Sequence, residues 1–312
     1  NTKHQNRPRF DKSKQQTMFR TLTFLFFIFI VTSVSAQQYV DLVNVTHTQR
    51  ITKQNSASVQ NPKYAETTLD LLIPMPIGKK KTILTGFNIE RTSTNLLVDQ
   101  SNLFYGSLLK LGVNINHSNR FNASYILLPK IASDFSNTNT DHFQLGGLFL
   151  AKLKQNDVFK WKFGCYANTE HFGLLVVPIL GFYYQKNNLE INATLPINAE
   201  VLWNIHDTKF ALGGRFDGIN RSYMKGMTPL TYIEKNSNEV AAFAQLKMKN
   251  GLFRCMIGSF VGQRISQFSA TDKVSLALPL YKINNDRSAL ENNISTAAFI
   301  KFSFIYRLPT QA

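Results

Sequence analysis

The chain has 312 residues, 44% of them apolar, 12% aromatic and only 17% charged, with a formal net charge of +16. This composition excludes an intrinsically disordered chain. Two cysteines exclude a disulfide scaffold and a cysteine-based zinc site.

The first 36 residues read as processed sequence. Met18-Phe19-Arg20 opens a secretory signal peptide, followed by the apolar run LTFLFFIFIV at 22–31, where Thr23 is the only polar residue. As a helix, that run reaches ~15 Å, half of a ~30 Å bilayer core, so a retained membrane helix is the weaker reading. Residues 32–36 are small and polar around Val34 and Ala36, which stand at −3 and −1 of an expected cut before Gln37. Residues 1–17 precede the start methionine and read as a non-native or untranslated leader. Residues 1–36 hold six basic residues and one acid, so the charged set falls from 35 and 19 to 29 and 18, a net +11. A basic exported chain meets anionic lipid or wall polymer. No Lys/Arg run interleaved with aromatics points to nucleic acid.

From Gln37 onward no apolar stretch is long enough for a membrane helix. Alternation with a period of two recurs in stretches of about ten residues. It predicts strands at 39–50, 63–75, 82–91, 103–115, 120–130, 141–154, 158–169, 175–185, 188–196, 198–206, 208–222, 237–249, 251–264 and 293–308. In 103–115 one face carries Leu103, Tyr105, Leu109, Leu111 and Val113, and the other Gly106, Lys110, Gly112 and Asn114. In 143–154, Phe143, Leu145, Phe149 and Leu153 oppose Gln144, Lys152 and Lys154. In 159–167, Phe159, Trp161, Phe163 and Cys165 oppose Lys160, Lys162 and Gly164.

Connections alternate too. Segments 51–62, 92–102, 131–140, 223–236 and 265–292 are long and polar, whereas those near 78–81, 116–119, 155–157, 186–188, 206–208 and 249–251 are short. Short periplasmic turns alternating with long outer loops predict an all-β fold, a closed antiparallel transmembrane β-barrel at 37–308 with a short tail at 309–312. The strand count is about 14, and parity supports an even number. The break at Pro196-Ile197 is the weakest, with twelve strands as the fallback. Bulky Leu148, Leu150, Phe216, Phe243 and Phe299 fall on predicted inward faces, which leaves a narrowed or plugged lumen open as a reading.

The last strand places Ala298, Ile300, Phe302, Phe304, Tyr306 and Leu308 on one face. Phe302, Phe304, Tyr306 and Leu308 form a candidate insertion signal, similar to that by which barrel-insertion machinery recognises its clients. Pro309 to Ala312 follow, where many barrels stop on an aromatic.

Several segments taken together resemble a known family: YVDLVNV at 39–45, LDLLIPMPI at 69–77, YILLPKIASDF at 125–135, FQLGGLFLAKLK at 143–154, the stretch 161–184 and FIYRL at 304–308. They are similar to a family of uncharacterised exported proteins of Gram-negative bacteria, a domain-of-unknown-function family treated as outer-membrane β-barrels. The resemblance implies the outer membrane and a barrel architecture. It implies no catalytic residue, ligand or cofactor.

No chemistry-bearing constellation stands out. The six histidines show no metal-ligand spacing. Asn116-His117-Ser118-Asn119 is similar to the His/Ser/Asn set of outer-membrane phospholipases, but it sits in a short turn, and adjacent side chains on a strand point apart. Glu170-His171 reads as a solvated pair in an outer loop. Cys165 and Cys255 are expected as free thiols facing lipid on distant strands. Paired glycines lack any phosphate-loop context. The patterned polar signal is basic: Lys152, Lys154, Lys160, Lys162, Lys247 and Lys249 lie near short turns and form a candidate collar at the periplasmic mouth. A solvated collar beside anionic headgroups is the simpler reading and an anion-favouring mouth the functional one.

The sequence therefore predicts an outer-membrane protein with the lipid bilayer and the insertion machinery as partners, no cofactor, no metal and no enzyme activity. A pore or small-solute channel is the leading function. The alternative is a structural or surface-interaction barrel with a filled lumen, ahead of a lipid-acting barrel enzyme or a soluble periplasmic β protein. Oligomeric state is not legible.

Overall fold

The computed structural model describes residues 39–51, 63–97, 102–136, 142–206, 208–226 and 229–309. The expected leader, signal peptide and last three residues fall outside these. The described residues form β1 (Tyr39–Arg50), β2 (Tyr64–Ile77), β3 (Lys81–Thr94), β4 (Asn102–Asn116), β5 (Phe121–Ser133), β6 (Phe143–Lys154), β7 (Phe159–Glu170) and β8 (Gly173–Lys186). They continue with β9 (Leu189–Leu195), β10 (Asn198–Asn204), β11 (Phe210–Lys225), β12 (Thr231–Lys247), β13 (Gly251–Ser269), β14 (Val274–Ala277), β15 (Lys282–Ile283) and β16 (Glu291–Pro309).

Strands β1 to β13 pair antiparallel with their chain neighbours, β13 pairs with β16, and β16 returns to β1. The result is a closed antiparallel barrel of fourteen strands. Closure pairs the two terminal strands that an open sheet of this width would leave bare. The closing register sets Val45 opposite Phe304 and His47 opposite Phe302, which keeps one apolar face continuous across the seam. The turn at Pro196-Ile197 is real, so β9 and β10 are two strands and the count is fourteen.

Alternation decides which face meets which medium. Outward side chains remain exposed all round the barrel, among them Ile73, Leu109, Leu127, Phe149, Leu180 and Ile257. Trp161, Trp203, Phe210 and Tyr306 add aromatics toward the ends that carry the short turns. Such an apolar belt is tolerable only against hydrocarbon. Inward faces carry ionic and amide groups, including Lys110 on Asp70 at 2.6 Å and Lys301 on Glu239 at 2.5 Å. Bulky Leu148, Leu150, Phe243 and Phe299 share that inward face. Phe216 does not: Phe216 pairs with exposed Val240 and faces outward, because the inward residues of β11 are the odd-numbered ones such as Arg215 and Asp217. Cys165 and Cys255 lie outward and unbridged.

Two expected loops are corrected. Segment 223–236 is mostly strand, since β11 runs to Lys225 and β12 begins at Thr231. Segment 265–292 starts as the end of β13 and then holds β14 and β15. A bulge between Phe260 and Gln263, with Gly262 at φ +60°, lets β13 continue with its faces exchanged.

Candidate functional site

The wall of the barrel is uneven, and that unevenness builds the site. Strands β9 and β10 have seven residues each, whereas their neighbours β8 and β11 have fourteen and sixteen. Strand β9 covers β8 only from Leu180 to Lys186, and β10 covers β11 only up to Asp217. The outer ends of β8 and β11 are therefore bare edges, whose backbone groups need other partners.

Each edge finds one. The edge of β8 takes β14 in parallel, with Val274 opposite Gly173 and Ala277 opposite Leu175. Gly173 is required there: a Cβ would stand 2.2 Å from the Val274 carbonyl oxygen, and its φ is +127°. The outer end of β11 instead turns into the lumen and meets β5, pairing Met224 with Ser133 in parallel. The Asp134 amide donates to the Met224 carbonyl at 3.0 Å, and the Gly226 amide donates to the Asp134 carboxylate at 3.2 Å.

Residues 218–225 thus divide the outer half of the lumen. Their odd face meets the wall of β2 to β4. Arg221 pairs with Glu90 and approaches Glu66 at 3.7 Å, and the Tyr223 hydroxyl donates to Glu90 at 2.8 Å. Lys235 of β12 joins the same group, donating to Glu66 at 2.5 Å, while the Tyr64 hydroxyl donates to Glu66 at 2.6 Å. The even face meets β5 to β7. Glu170 accepts from the Ser222 hydroxyl at 2.5 Å and its amide at 3.0 Å, with Lys130 at 3.4 Å. Gln144 donates to the Ser222 carbonyl at 3.3 Å. Lys235 is 1% exposed and Ser222 wholly buried, so the carboxylates of this seam are shielded from water, whereas the Arg221 side chain is half-buried. Buried charges persist in such a place only when paired and hydrogen-bonded, which every one of these carboxylates is.

This arrangement corrects the reading of Glu170-His171 as a solvated loop pair. Both are buried, because the crossing strand covers them. His171 Nε2 lies 3.2 Å from the Ala132 carbonyl oxygen, and burial pushes the imidazole pKa down to about 4. The His117–Ser118 segment is the turn expected, with the Ser118 hydroxyl accepting from the Arg120 and Phe121 amides. Among the described residues no group of three or more His, Cys, Asp or Glu could hold a metal ion.

The lysine collar is assembled in part. Lys152 pairs with Lys162 and Lys154 with Lys160 across β6 and β7, all four on the lumen face near the short turns. Lys162 donates to Asn192 and to Thr194, at 3.3 Å for the latter, and Lys160 stands 5.3 Å above the Tyr183 ring. Lys154 pairs with exposed Asp157 at 2.5 Å. Lys247 lies apart on β12, bonded to Asn204, and Lys249 sits exposed in the turn that follows. Like charges directly across a ladder are unfavourable by themselves. At the closing strand, Phe302, Phe304 and Tyr306 face outward and are exposed, and Leu308 shares their face.

The residues missed from sequence are those of the dividing seam: Glu66, Glu90, Arg221 and Lys235. Segment 223–236 reads as a polar loop, because no continuous apolar face runs through it. Both faces are covered here, with Tyr223 and Ile233 in one buried apolar cluster and Met224 and Tyr232 in another, so neither face has to be apolar throughout.

No protein-family model matches the chain, and no characterised protein matches it in sequence. Among solved structures, it is similar to the NanC porin at 8% identity, over 85% of this chain and all of that one, with a TM-score of 0.34. It is similar to the β domain of the Bordetella autotransporter BrkA at 8% identity, over 86% and 99% of the two chains, TM-score 0.24. Similarity to Pseudomonas aeruginosa OpdQ is also 8% in identity, over 86% and 97%, TM-score 0.23.

Proposed function

We propose that this protein is an outer-membrane β-barrel whose lumen is occluded at its outer end by its own strand β11, so that it acts at its surface and not as an open pore. The crossing of the lumen by residues 218–225, bonded on one face to β2 and β3 and on the other to β6 and β7, carries this reading. The exposed apolar belt and the closed hydrogen-bond ladder support residence in a bilayer. Two measurements test it. The protein should fractionate with the outer membrane and migrate faster on a denaturing gel before boiling than after, because a closed ladder has no free edge from which to unzip. Recovery in the soluble periplasm, or identical migration, contradicts the placement. In planar bilayers the wild-type protein should be silent, and steady open-channel conductance overturns the occlusion.

The four lysines on β6 and β7 favour a second reading, a small-solute channel that opens when β11 withdraws. Their ammonium groups face one stretch of lumen, and screening at 0.15 M salt acts over ~8 Å, so an ion passing among them is still influenced. In a conducting variant, changing Lys152, Lys154, Lys160, Lys162, Lys247 and Lys249 to Gln should reduce anion preference, with the loss smaller at high salt. Reversal potential across a salt gradient measures this. Unchanged selectivity would make the lysines a solvated collar and nothing more.

A further inference from the structure

We infer that the cleft under the connection between β13 and β16 binds a small hydroxylated anion, one bearing a phosphate or carboxylate on a sugar-like body. The cleft has a volume of about 500 Å³, the size of a small-ligand pocket. One side is the connection itself, residues 278–292. The other is the even face of β11 and β12 with the matching face of β13, and it presents Asn220, Asn236, Arg264 and Phe268.

Charge supplies the first argument. Lys282 and Arg287 both pair with a single carboxylate, Glu234. Arg264 lines the same cleft and has no ion pair among the described residues. Three cations therefore converge on one acid. The Arg287 side chain is only 4% exposed, and its guanidinium lies 4.3 Å over the Phe268 ring. Its bonds to Asn285, Tyr232 and Glu234 use Nε and Nη1, which leaves Nη2 as the remaining donor. Lys282 and Arg287 share Glu234, exposed Arg264 adds a third cation to the same cleft, and guanidinium forks match phosphate and carboxylate oxygens.

The second argument is independent of charge. Asn220 lines this cleft, and its Oδ1 is buried without a hydrogen-bond partner. A buried acceptor left open calls for a donor, and a hydroxyl supplies one without adding charge. The cations therefore select the acidic group and the amide selects the hydroxyl.

The third argument is rigidity. The connection is pinned by the pairing of β14 with β8, by buried Val274 and Ala277, and by the Tyr232 hydroxyl on the Asp272 carbonyl at 2.6 Å. Lys282 and Arg287 are held on Glu234 before a ligand arrives, so binding does not have to order them.

Titration calorimetry on the purified, detergent-folded barrel tests the inference with glucose 6-phosphate, glucose and inorganic phosphate. Glucose 6-phosphate should bind saturably, phosphate more weakly and glucose not at all. Arg264→Gln should weaken glucose 6-phosphate about tenfold, the scale of one charged hydrogen bond. Arg264→Lys should recover most of that loss. Arg264 is exposed and unpaired, so both variants should keep heat-modifiable migration. The same acidic sugar could be a free solute or a lipid headgroup, and micelles doped with an anionic glycolipid separate the two. Saturation by the micelles but not by glucose 6-phosphate assigns the site to a headgroup. Saturation by neither overturns the site. Equal affinity for phosphate and glucose 6-phosphate overturns the hydroxyl-selecting role of Asn220, and an unchanged Arg264→Gln overturns the cation-selecting role.

Discussion

Removing both anchors of the crossing strand, Arg221→Ala together with Glu170→Gln, should turn a silent barrel into a conducting one. Arg221 is the cation on Glu90, and Glu90 is 4% exposed. Taking away one partner of a buried ion pair leaves an uncompensated charge and costs about 3–5 kcal/mol. On the opposite face, Glu170→Gln removes the carboxylate that accepts both the hydroxyl and the amide of Ser222. The losses fall on one short segment, because residues 218–225 keep only β12 as an extended ladder partner. Both changes alter side chains and leave the backbone pairings of Arg221 with Lys235 and of Glu170 with Gly173 in place, so heat-modifiable migration should survive. Single-channel recording provides the check, with the wild-type protein as the silent reference. A variant that folds yet stays silent would show that the plug lies deeper in the lumen, where buried Arg254 of β13 stacks 4.1 Å over the Phe243 ring.

The triple change Phe302→Ser, Phe304→Ser and Tyr306→Ser should abolish assembly. These side chains stand on the outward face of the closing strand, opposite His47, Val45 and Val43 of β1. Each loses roughly 1.5–3 kcal/mol of burial in hydrocarbon. Together that approaches the whole stability of an ordinary domain, about 5–15 kcal/mol. The barrel closes through this strand on both sides, so weakening it opens the ladder rather than fraying an end. Membrane-fraction yield is the measurement. The parallel variant with Leu at all three positions divides the physical causes: normal yield assigns the effect to apolar burial, and failure assigns it to an aromatic insertion signal. Normal yield of the Ser variant would refute both.

Much of the barrel was legible because alternation is a local property. In β6, Phe143, Leu145, Phe149 and Leu153 against Gln144, Lys152 and Lys154 already state which face meets lipid, and pairing with β7 only confirmed it. The order of short and long connections counted the strands for the same reason: a two-residue turn at 187–188 and the polar stretch at 51–62 are written in neighbouring residues. Lys152, Lys154, Lys160 and Lys162 could be placed on the lumen face of two adjacent strands, while Lys247 lies apart on β12 and Lys249 in the turn after it. Phe216 went astray because the face was assigned without knowing the register of β11.

What sequence could not decide was the inside of the barrel. The alternation signal exists because one face of each strand must meet hydrocarbon. The stretches 223–225 and 231–236 lose that signal, because both of their faces are covered by mixed polar and apolar groups, Tyr223 and Ile233 packing in one buried cluster and Met224 and Tyr232 in another. That β11 turns inward depends on the unequal lengths of β9 and β10 against β8 and β11. Glu66 and Glu90 become its anchors only through contacts made 131 to 169 residues away along the chain. A bare edge seeks whichever partner the closed barrel brings within reach, and only the tertiary structure fixes that choice.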